Sequence, residues 1–296
     1  MTKRPTILLI GADGQVGWEL QRTLAPLGHL IRATLNGRWE GTLNLADASS
    51  ITRLIKDTQP DAVINAAAYT AVDKAETERD LAQRINGDAP GLLGRLLAER
   101  SVPIIHYSTD FVFSGEAERP YREDDEPAPL NVYGATKLDG ENRLLDSGAP
   151  AIILRTSWVY GRYGHNFLLT MQRLLQERDE LKVVDDQIGA PTWSRLLAEV
   201  SAQLLYRVLT DDIDLEKEKG IYQVTGGGQT SWWGFAKAIQ QASGISCRLL
   251  PIPSRDYPSP AKRPAYSVLD NAKFTKKFGL ALPDWDVSLT MCLAEN

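Results

Sequence analysis

The chain has 296 residues, of which 43% are hydrophobic and 24% charged, and its formal net charge at pH 7 is −5. These proportions are ordinary for a soluble globular protein, and a negative net charge leaves no basic surplus for binding nucleic acid. Two cysteines exclude a disulfide framework and favour a cytoplasmic location, three scattered histidines show no metal-ligand spacing, and no apolar run is long enough to cross a membrane.

The first half of the chain alternates apolar strands with amphipathic helices. The pattern predicts strands at residues 6–10, 30–34, 62–65 and 102–108, and helices at residues 15–27, 49–58, 77–85 and 89–100. Strands that are apolar throughout are buried on both faces, which is typical of a parallel sheet between two helical layers. The predicted fold class is therefore α/β, with a Rossmann-type doubly wound parallel sheet.

The second half continues this pattern and then departs from it. The sequence predicts, in order, a loop at 115–130, a helix at 131–145, a strand at 151–155, a helix at 165–178, a loop at 183–192, a helix at 193–209, a strand at 221–224, a helix at 231–244 and a proline-rich end. We predict an NAD(P)-binding Rossmann domain over residues 1–160. Residues 161–296 are predicted to form mainly a smaller α/β substrate-binding lobe, with room for some segments to return to the Rossmann domain.

A glycine-rich turn follows the first predicted strand. Gly11, Gly14 and Gly17 are spaced as Gly-x-x-Gly-x-x-Gly at the start of the first helix. Glycines let the backbone approach a pyrophosphate, and the N–H groups of a helix N-terminus attract its charge. We interpret the turn as a dinucleotide-binding site; the alternative is a tight strand–helix turn that binds nothing.

The end of the second strand bears on the choice of cofactor. Sites that prefer NAD usually have an acidic residue there, whereas this strand ends in Thr34. Arg32 and Arg38 lie close by in the sequence, and an arginine would attract a 2′-phosphate. We expect NADPH or NADH as the cofactor, with NADPH favoured. The alternative is that both arginines are merely solvated.

Tyr133 and Lys137 form a Tyr-x-x-x-Lys pair on one face of a predicted helix. A lysine ammonium favours a phenolate and lowers the tyrosine pKa, which suits the tyrosine to protonate a carbonyl oxygen. Thr109, at the end of a predicted strand, can offer a second hydroxyl to the same oxygen. Such pairs are common on surface helices, and it is the strand-end Thr109 upstream that favours a catalytic role.

Two further features allow two interpretations each. The small residues Ala66, Ala67 and Ala68 follow a strand, and they would either admit a cofactor close to the backbone or allow tight packing of a helix on the sheet. Trp158 follows a later strand and would either stack on a sugar ring or pack between the two lobes.

In these residues the chain resembles the dTDP-4-dehydrorhamnose reductase family of extended short-chain dehydrogenases/reductases, over nearly its whole length. The motifs that carry the resemblance are residues 14–21 (GQVGWELQ), 65–68 (NAAA), 72–76 (VDKAE), 106–110 (HYSTD), 131–138 (NVYGATKL), 155–160 (RTSWVY), 186–192 (DQIGAPT) and 263–264 (RP). The resemblance implies an oxidoreductase of dTDP-rhamnose biosynthesis, in which NAD(P)H reduces the C4 ketone of dTDP-4-dehydro-β-L-rhamnose to dTDP-L-rhamnose.

The resemblance also implies roles for particular residues. Tyr133 would be the proton donor, Lys137 would tune it and hold the nicotinamide ribose, and Thr109 would polarise the ketone. The residues implied to contact the sugar are Thr109, Asp110 and Trp158. The residues implied to line the cofactor are Gly14, Gln15 and Val16 at the pyrophosphate, and Asn44, Leu45, Ala66, Ala67 and Ala68 on the adenosine side.

The chain departs from the family pattern at several positions. Thr34 and Asn44 stand where the family often has Asp, and this weakens the assignment of NAD as the cofactor. Phe111 stands where the family often has Tyr. Some members pair through a metal held by acidic side chains near Glu19 and in the helix that here begins with residues 193–195 (WSR). Because that segment lacks an acid, we predict no metal site.

Two other functions stay open from the sequence. A nucleotide-sugar 4-epimerase would share the fold and the Tyr/Lys pair. A catalytically silent relative could serve as a regulatory subunit, although the intact catalytic set favours an enzyme. A homodimer is also left open, and the expected partner is a small dTDP-sugar rather than a nucleic acid or a membrane.

Overall fold

The chain folds around a seven-stranded parallel sheet. The computed structural model describes residues 4–294, so residues 1–3 and 295–296 of the two predicted domains lie outside the described residues. The strands are β1 (Thr6–Ile10), β2 (His29–Thr34), β3 (Gly41–Thr42), β4 (Ala62–Asn65), β5 (Ile104–Thr109), β6 (Ala151–Thr156), β7 (Val159–Tyr160), β8 (Glu180–Val184), β9 (Ile188–Gly189), β10 (Thr192–Trp193), β11 (Gly220–Gln223), β12 (Thr230–Ser231) and β13 (Arg248–Ile252).

The strand order of the large sheet is β3-β2-β1-β4-β5-β6-β11, and every neighbouring pair is parallel. The predicted Rossmann-type doubly wound fold is therefore confirmed. The order reverses between β1 and β4, and ligands of open α/β sheets bind in the crevice outside the carboxyl ends of the strands at such a point.

Helices cover both faces of the sheet. They are α1 (Gln15–Leu24), α2 (Ala48–Thr58), α3 (Val72–Ala75), α4 (Arg79–Gln83), α5 (Ala89–Ala98), α6 (Val132–Asp146), α7 (Phe167–Glu177), α8 (Ser194–Leu209), α9 (Leu215–Glu218), α10 (Trp232–Ser243), α11 (Ala272–Phe278) and α12 (Trp285–Ala294). On one face, Leu20 of α1 and Leu197 of α8 share an apolar layer. On the other face, α2, α5 and α6 supply a second layer that includes Leu93 and Leu144.

Among residues 161–294, α8, β11 and α11 belong to the sheet and its layers, and Phe274 of α11 joins the apolar layer of α1 and α8. β11 extends the sheet beside β6, with Gln223 opposite Arg155. α8 packs on α1, where the Thr23 hydroxyl donates to the Ala198 carbonyl at 3.4 Å. The segment after β10 thus returns to the sheet before the chain forms α10.

Several other elements of residues 161–294 form a smaller apolar cluster. α7, α10 and α12 pack together there through residues such as Leu168, Phe235 and Leu289. β8 and β13 pair beside them as a separate two-stranded parallel sheet. Among residues 4–294, no helix is both long and apolar enough to span a membrane.

Two local predictions were wrong for identifiable reasons. The loop predicted over 183–192 is wrong for Val183 and Val184, which complete β8 by pairing with Pro251 and Ile252 of β13. It is also wrong where the short strands β9 and β10 form. Proline cannot donate to a ladder but is tolerated in an edge strand, so the proline-rich composition concealed β13. The two helices predicted over 77–85 and 89–100 form one helical run, since a π-helical turn over Arg84–Asp88 joins α4 to α5.

Candidate active site

Tyr133 stands in the first turn of α6, whose start is fixed by side chains. Asn131 caps the helix, because its Oδ1 accepts from the Gly134 N–H at 2.8 Å. The Val132 N–H donates to Glu76 Oε1, also at 2.8 Å. A Cβ on Gly134 would collide with the Phe111 carbonyl, so this glycine lets the first turn of α6 approach the end of β5.

Thr109 ends β5 and caps the short 3-10 helix Asp110–Val112. Its Oγ1 accepts from the Phe111 N–H at 3.2 Å and donates to Asp110 Oδ1 at 3.0 Å. The Thr109 side chain lies near enough to Tyr133 to lower its pKa, and the Tyr133 ring meets the Phe111 ring edge-on at 5.7 Å between centroids. The structure therefore brings together Thr109, Asp110 and Tyr133.

The pKa of Tyr133 differs from the sequence-based expectation. Burial raises it to about 12, against a lowering by the hydrogen bond to Thr109 and a further rise from the nearby Asp110 charge. The shift comes from these three causes, and the Lys137 Nζ hydrogen-bonds the Tyr107 carbonyl. The expectation that Lys137 lowers the Tyr133 pKa is thus not met in this arrangement.

Lys137 lies beneath Tyr133 in the interior. Its Nζ donates to the Tyr107 carbonyl at 2.6 Å and lies 3.3 Å from His106 Nε2. Burial lowers the pKa of Lys137 to about 8, while the charge of Glu141 acts in the opposite direction. Desolvation disfavours an ammonium, so the lysine is closer to its neutral form than an exposed one would be.

Asp110 is a second buried ionisable group at the end of β5. It is only 2% exposed. Burial raises its pKa to about 6, against the lowering effect of hydrogen bonds from the Ser267 and Thr109 hydroxyls. A carboxyl group that is part-protonated near neutral pH can both donate and accept, which suits contact with a sugar hydroxyl.

The glycine turn after β1 has the geometry of an anion site. Gly11 has a φ of +81°, and a Cβ on Gly17 would collide with the Gly11 carbonyl. Gly14 is the N-cap of α1 without a side-chain cap, so the first N–H groups of the helix, from Gln15 and Val16, stay available. Gln15 Oε1 is buried without a hydrogen-bond partner. These residues fit a dinucleotide pyrophosphate.

The small residues after β4 border this turn. A Cβ on Gly11 would lie 2.7 Å from the Ala67 backbone nitrogen, so the two segments touch. Ala66, Ala67 and Ala68 are all half-buried. The Ala67 N–H donates to Asn65 Oδ1 at 3.2 Å. The segment therefore packs tightly on the glycine turn and still leaves part of its surface accessible to a cofactor.

The end of β2 differs from the expectation for cofactor choice. Thr34 is buried, and its hydroxyl donates to Asn36 Oδ1 at 2.9 Å. The Arg32 guanidinium is bound by Glu40 and stacks on Trp39 at 4.0 Å from the ring centroid. Arg32 is thus already bound by a carboxylate. The Arg38 guanidinium lies 5.2 Å from the centroid of the same Trp39 ring but is exposed, so Arg38 is the arginine that remains to meet a 2′-phosphate.

The structure shows local contacts for Asn44, Leu45 and Trp158. Asn44 follows β3 and accepts from the Ala46 N–H at 3.0 Å, whereas the Leu45 side chain is buried in the core. Trp158 has a φ of +45° and stacks on Trp232 with 3.5 Å between ring centroids. One face of the indole is thus covered, which favours packing for that face.

Sequence reasoning missed several residues that build the site. His106 and Asn65 are buried beneath it, and Asn86 of the π-helical turn accepts from the Tyr69 N–H at 2.8 Å. Asp73 of α3 forms an ion pair of 2.8 Å with Arg263. The motifs that carry the resemblance contain Asp73 and Arg263, but nothing in the sequence shows that they meet.

The sheet is doubly wound and has a glycine turn after β1, and α6 presents a tyrosine and a lysine beside a threonine at the end of β5. This combination defines a short-chain dehydrogenase/reductase. A model of the RmlD substrate binding domain matches residues 5–296. The chain belongs to the dTDP-4-dehydrorhamnose reductase family, as its relatives show.

The relatives match almost end to end. The dTDP-4-dehydrorhamnose reductase of Burkholderia thailandensis is 42% identical over 297 residues, which is 98% of this chain and 98% of that protein. The Escherichia coli K12 reductase is 43% identical over 98% of this chain and 97% of its own length. The Bacillus anthracis reductase, solved in complex with NADP, has a TM-score of 0.91 at 33% identity and covers 99% of this chain and 100% of its own.

The fold alone does not separate reductases from epimerases. A UDP-glucose 4-epimerase of Thermus thermophilus, solved in complex with NAD, has a TM-score of 0.80 at only 19% identity. The family assignment therefore rests on the relatives of higher identity, and it makes the chain an oxidoreductase.

Proposed function

We propose that this protein reduces the C4 ketone of dTDP-4-dehydro-β-L-rhamnose to dTDP-L-rhamnose, with NADPH or NADH as the reductant. The observation that carries the proposal is the contact between Thr109 and Tyr133 at the carboxyl end of β5, in a chain that matches reductases over 98% of its length. The NADP complex of the Bacillus anthracis relative supports NADPH as a cofactor.

Tyr133 and Thr109 act together on the ketone oxygen. Because burial keeps the Tyr133 hydroxyl protonated at neutral pH, the side chain is ready to donate a proton as charge develops on that oxygen. In the free protein the Thr109 hydroxyl donates its single hydrogen to Asp110 Oδ1; with the ketone bound, this hydrogen turns to the ketone oxygen and stabilises the charge there. Asp110 then loses that donor, and its raised pKa suits it to bind a neighbouring sugar hydroxyl instead.

Residues at the switch point of the sheet would hold the cofactor, which would supply the hydride. Lys137 would bind the nicotinamide ribose. The residues that we propose line the pyrophosphate are Gly11, Gly14, Gln15, Val16 and Gly17. The residues that we propose line the adenosine side are Thr34, Asn44, Leu45, Ala66, Ala67 and Ala68.

We assign cofactor binding to residues 1–160 and substrate binding mainly to residues 161–296. A cavity of about 680 Å³ between α7, β8 and the segment after β13 supports this division. Its wall carries Arg178, Lys182 and Arg263 together with the acids Glu180 and Asp256, and Arg263 is paired with Asp73. We propose that Arg178 and Lys182 meet the diphosphate of a sugar nucleotide. We also place the protein in the cytoplasm, which the two free cysteines support.

The test is the oxidation of NADPH, followed by absorbance, with and without a panel of nucleotide-linked 4-keto sugars. We expect oxidation that depends on the dTDP-linked sugar and yields dTDP-L-rhamnose. Interconversion of sugars without added reductant, with NAD retained on the protein, would instead identify an epimerase. A protein that binds NADPH but turns over no sugar in the panel would identify a silent relative.

A further inference from the structure

Lys137, His106 and Asn65 form a buried hydrogen-bond chain beneath the active site. Asn65 Nδ2 lies 3.1 Å from His106 Nδ1, and Lys137 Nζ lies 3.3 Å from His106 Nε2. At one end Lys137 Nζ donates to the Tyr107 carbonyl at 2.6 Å, and at the other the Ala67 N–H donates to Asn65 Oδ1 at 3.2 Å. The three side chains are at most 2% exposed, so water does not replace a hydrogen-bond partner when two donors or two acceptors face each other.

The donor and acceptor roles are fixed from the Ala67 end. A backbone N–H only donates, so the Asn65 atom that faces it is the oxygen, and the amide NH₂ faces His106. That NH₂ also only donates, so His106 Nδ1 is the acceptor and the ring proton sits on Nε2. The Nε2–H points at Lys137, whose Nζ must then offer a lone pair and is a neutral amine.

A proton on Lys137 reverses the direction of the chain. An ammonium has no lone pair, so His106 Nε2 becomes the acceptor and the ring proton moves to Nδ1. Asn65 must then turn its oxygen towards the ring. The Ala67 N–H consequently faces an NH₂ group and loses its acceptor.

We propose that His106 is a positioning residue that couples the proton state of Lys137, through the His106 tautomer and the Asn65 amide, to the backbone N–H of Ala67. Ala67 touches Gly11 of the glycine turn, as the close approach at that glycine shows. The chain thereby joins the catalytic helix to the segment that we propose lines the cofactor. The coupling is a property of the free protein and does not depend on which sugar is the substrate.

The charged groups around Lys137 leave both proton states accessible. Glu141, one turn further along α6, favours the ammonium, but Arg155 of β6 holds this carboxylate at 2.6 Å. Tyr133 of α6 and Asp110 after β5 are the ionisable groups on the cleft side. Burial lowers the pKa of Lys137 to about 8, so the amine changes its proton state within an experimentally convenient range.

Nitrogen NMR of the free protein labelled with ¹⁵N-histidine tests the proposal. The chain has three histidines, and the exposed rings of His29 and His165 serve as internal references. His106→Gln assigns the buried ring. We expect His106 to carry its ring proton on Nε2 well above pH 8 and on Nδ1 well below it. The midpoint of this tautomer change should equal the pKa of Lys137, about 8. In Lys137→Met we expect one tautomer at every pH.

Two results would overturn the proposal. One is a wild-type His106 ring that keeps a single tautomer across this range, or that gains a second proton. The other is a tautomer change that persists in Lys137→Met. If His106→Gln does not fold, His29→Gln combined with His165→Gln leaves the His106 signal alone in the spectrum, and the same titration then shows whether the tautomer changes.

Discussion

Lys137 Nζ donates a hydrogen bond to the backbone carbonyl of Tyr107, 2.6 Å away. The bond ties α6 to β5 directly beneath Tyr133, so the helix that bears the proposed acid is anchored to the strand that bears Thr109. Burial raises the Tyr133 pKa to about 12. Tyr133 therefore rests in the protonated form that a proton donor requires.

Thr109→Val should lower kcat for ketone reduction by about 10²-fold, the effect of removing one oxyanion donor. The change deletes one hydroxyl at nearly constant volume. Thr109→Ser keeps the hydroxyl and should retain much of the activity. Both variants are compared with wild type by their steady-state rates of NADPH oxidation. Equal rates for the Val and Ser variants would show that the Thr109 hydroxyl does not contribute to catalysis.

Asp110→Asn should stabilise the protein at neutral pH. Because the folded pKa is raised from 3.8 to about 6, the folded state holds its proton more tightly, and wild-type stability falls as pH rises through that window. Two pKa units correspond to roughly 3 kcal/mol at most. Asparagine has no charge to bury, so the variant should gain about 1–3 kcal/mol at pH 7 and almost nothing near pH 4.

Urea unfolding of wild type and Asp110→Asn at both pH values gives the comparison. The variant should also lose activity, since a residue that we propose contacts the sugar is changed. Equal stability differences at the two pH values would mean that the carboxylate is not penalised by its burial.

Glu141→Gln should cost about 3–5 kcal/mol of unfolding free energy, because it leaves the buried Arg155 charge without its partner. The pair lies at 2.6 Å, with side-chain exposures of 2% and 0%. Glu177→Gln is the matched control, since it breaks the exposed Arg173–Glu177 pair and should cost less than about 0.5 kcal/mol. Similar losses in urea unfolding for both variants would contradict the distinction.

NADPH should be used at least as well as NADH. β2 ends in Thr34 without a carboxylate, and Arg38 is exposed nearby. A charge-assisted hydrogen bond to a 2′-phosphate is worth roughly 1.5–3 kcal/mol, or about tenfold or more in affinity. Thr34→Asp should shift the preference towards NADH, and Arg38→Gln should weaken NADPH alone.

The measurement is kcat/KM for both cofactors in wild type and variants. Arg248→Gln, at an exposed position on β13, is the control and should leave the ratio unchanged. A wild type that strongly prefers NADH would show that no cation meets the 2′-phosphate.

The sequence predicts the parts of the fold that are set by local pattern. β1 and β4 match their predicted bounds, because short apolar runs there end at turn residues. β13 could not be predicted, since its formation depends on pairing with β8 from a distant part of the chain. The π-helical turn between α4 and α5 likewise leaves no periodic signal of its own.

The sequence likewise predicts only those features of the candidate site that depend on residue type and spacing. Residue types and spacing are enough to single out Tyr133, Lys137 and Thr109. Spacing cannot show that Glu40 engages Arg32, because the turn after β2 has to fold first. It also cannot show where Lys137 Nζ points, since its partners come from β5 and the helix reaches them only through packing on the sheet.

Tyr133→Phe tests the central claim most directly, because it keeps the ring and removes only the hydroxyl that carries the transferable proton. NADPH oxidation with the dTDP-linked 4-keto sugar is compared among wild type, this variant and Tyr206→Phe, a control at an exposed position of α8. We predict that kcat falls by at least about 10²-fold in Tyr133→Phe, with NADPH affinity nearly unchanged, and that Tyr206→Phe behaves as wild type. A Tyr133→Phe enzyme that loses less than about 10²-fold would contradict the assignment of Tyr133 as the proton donor.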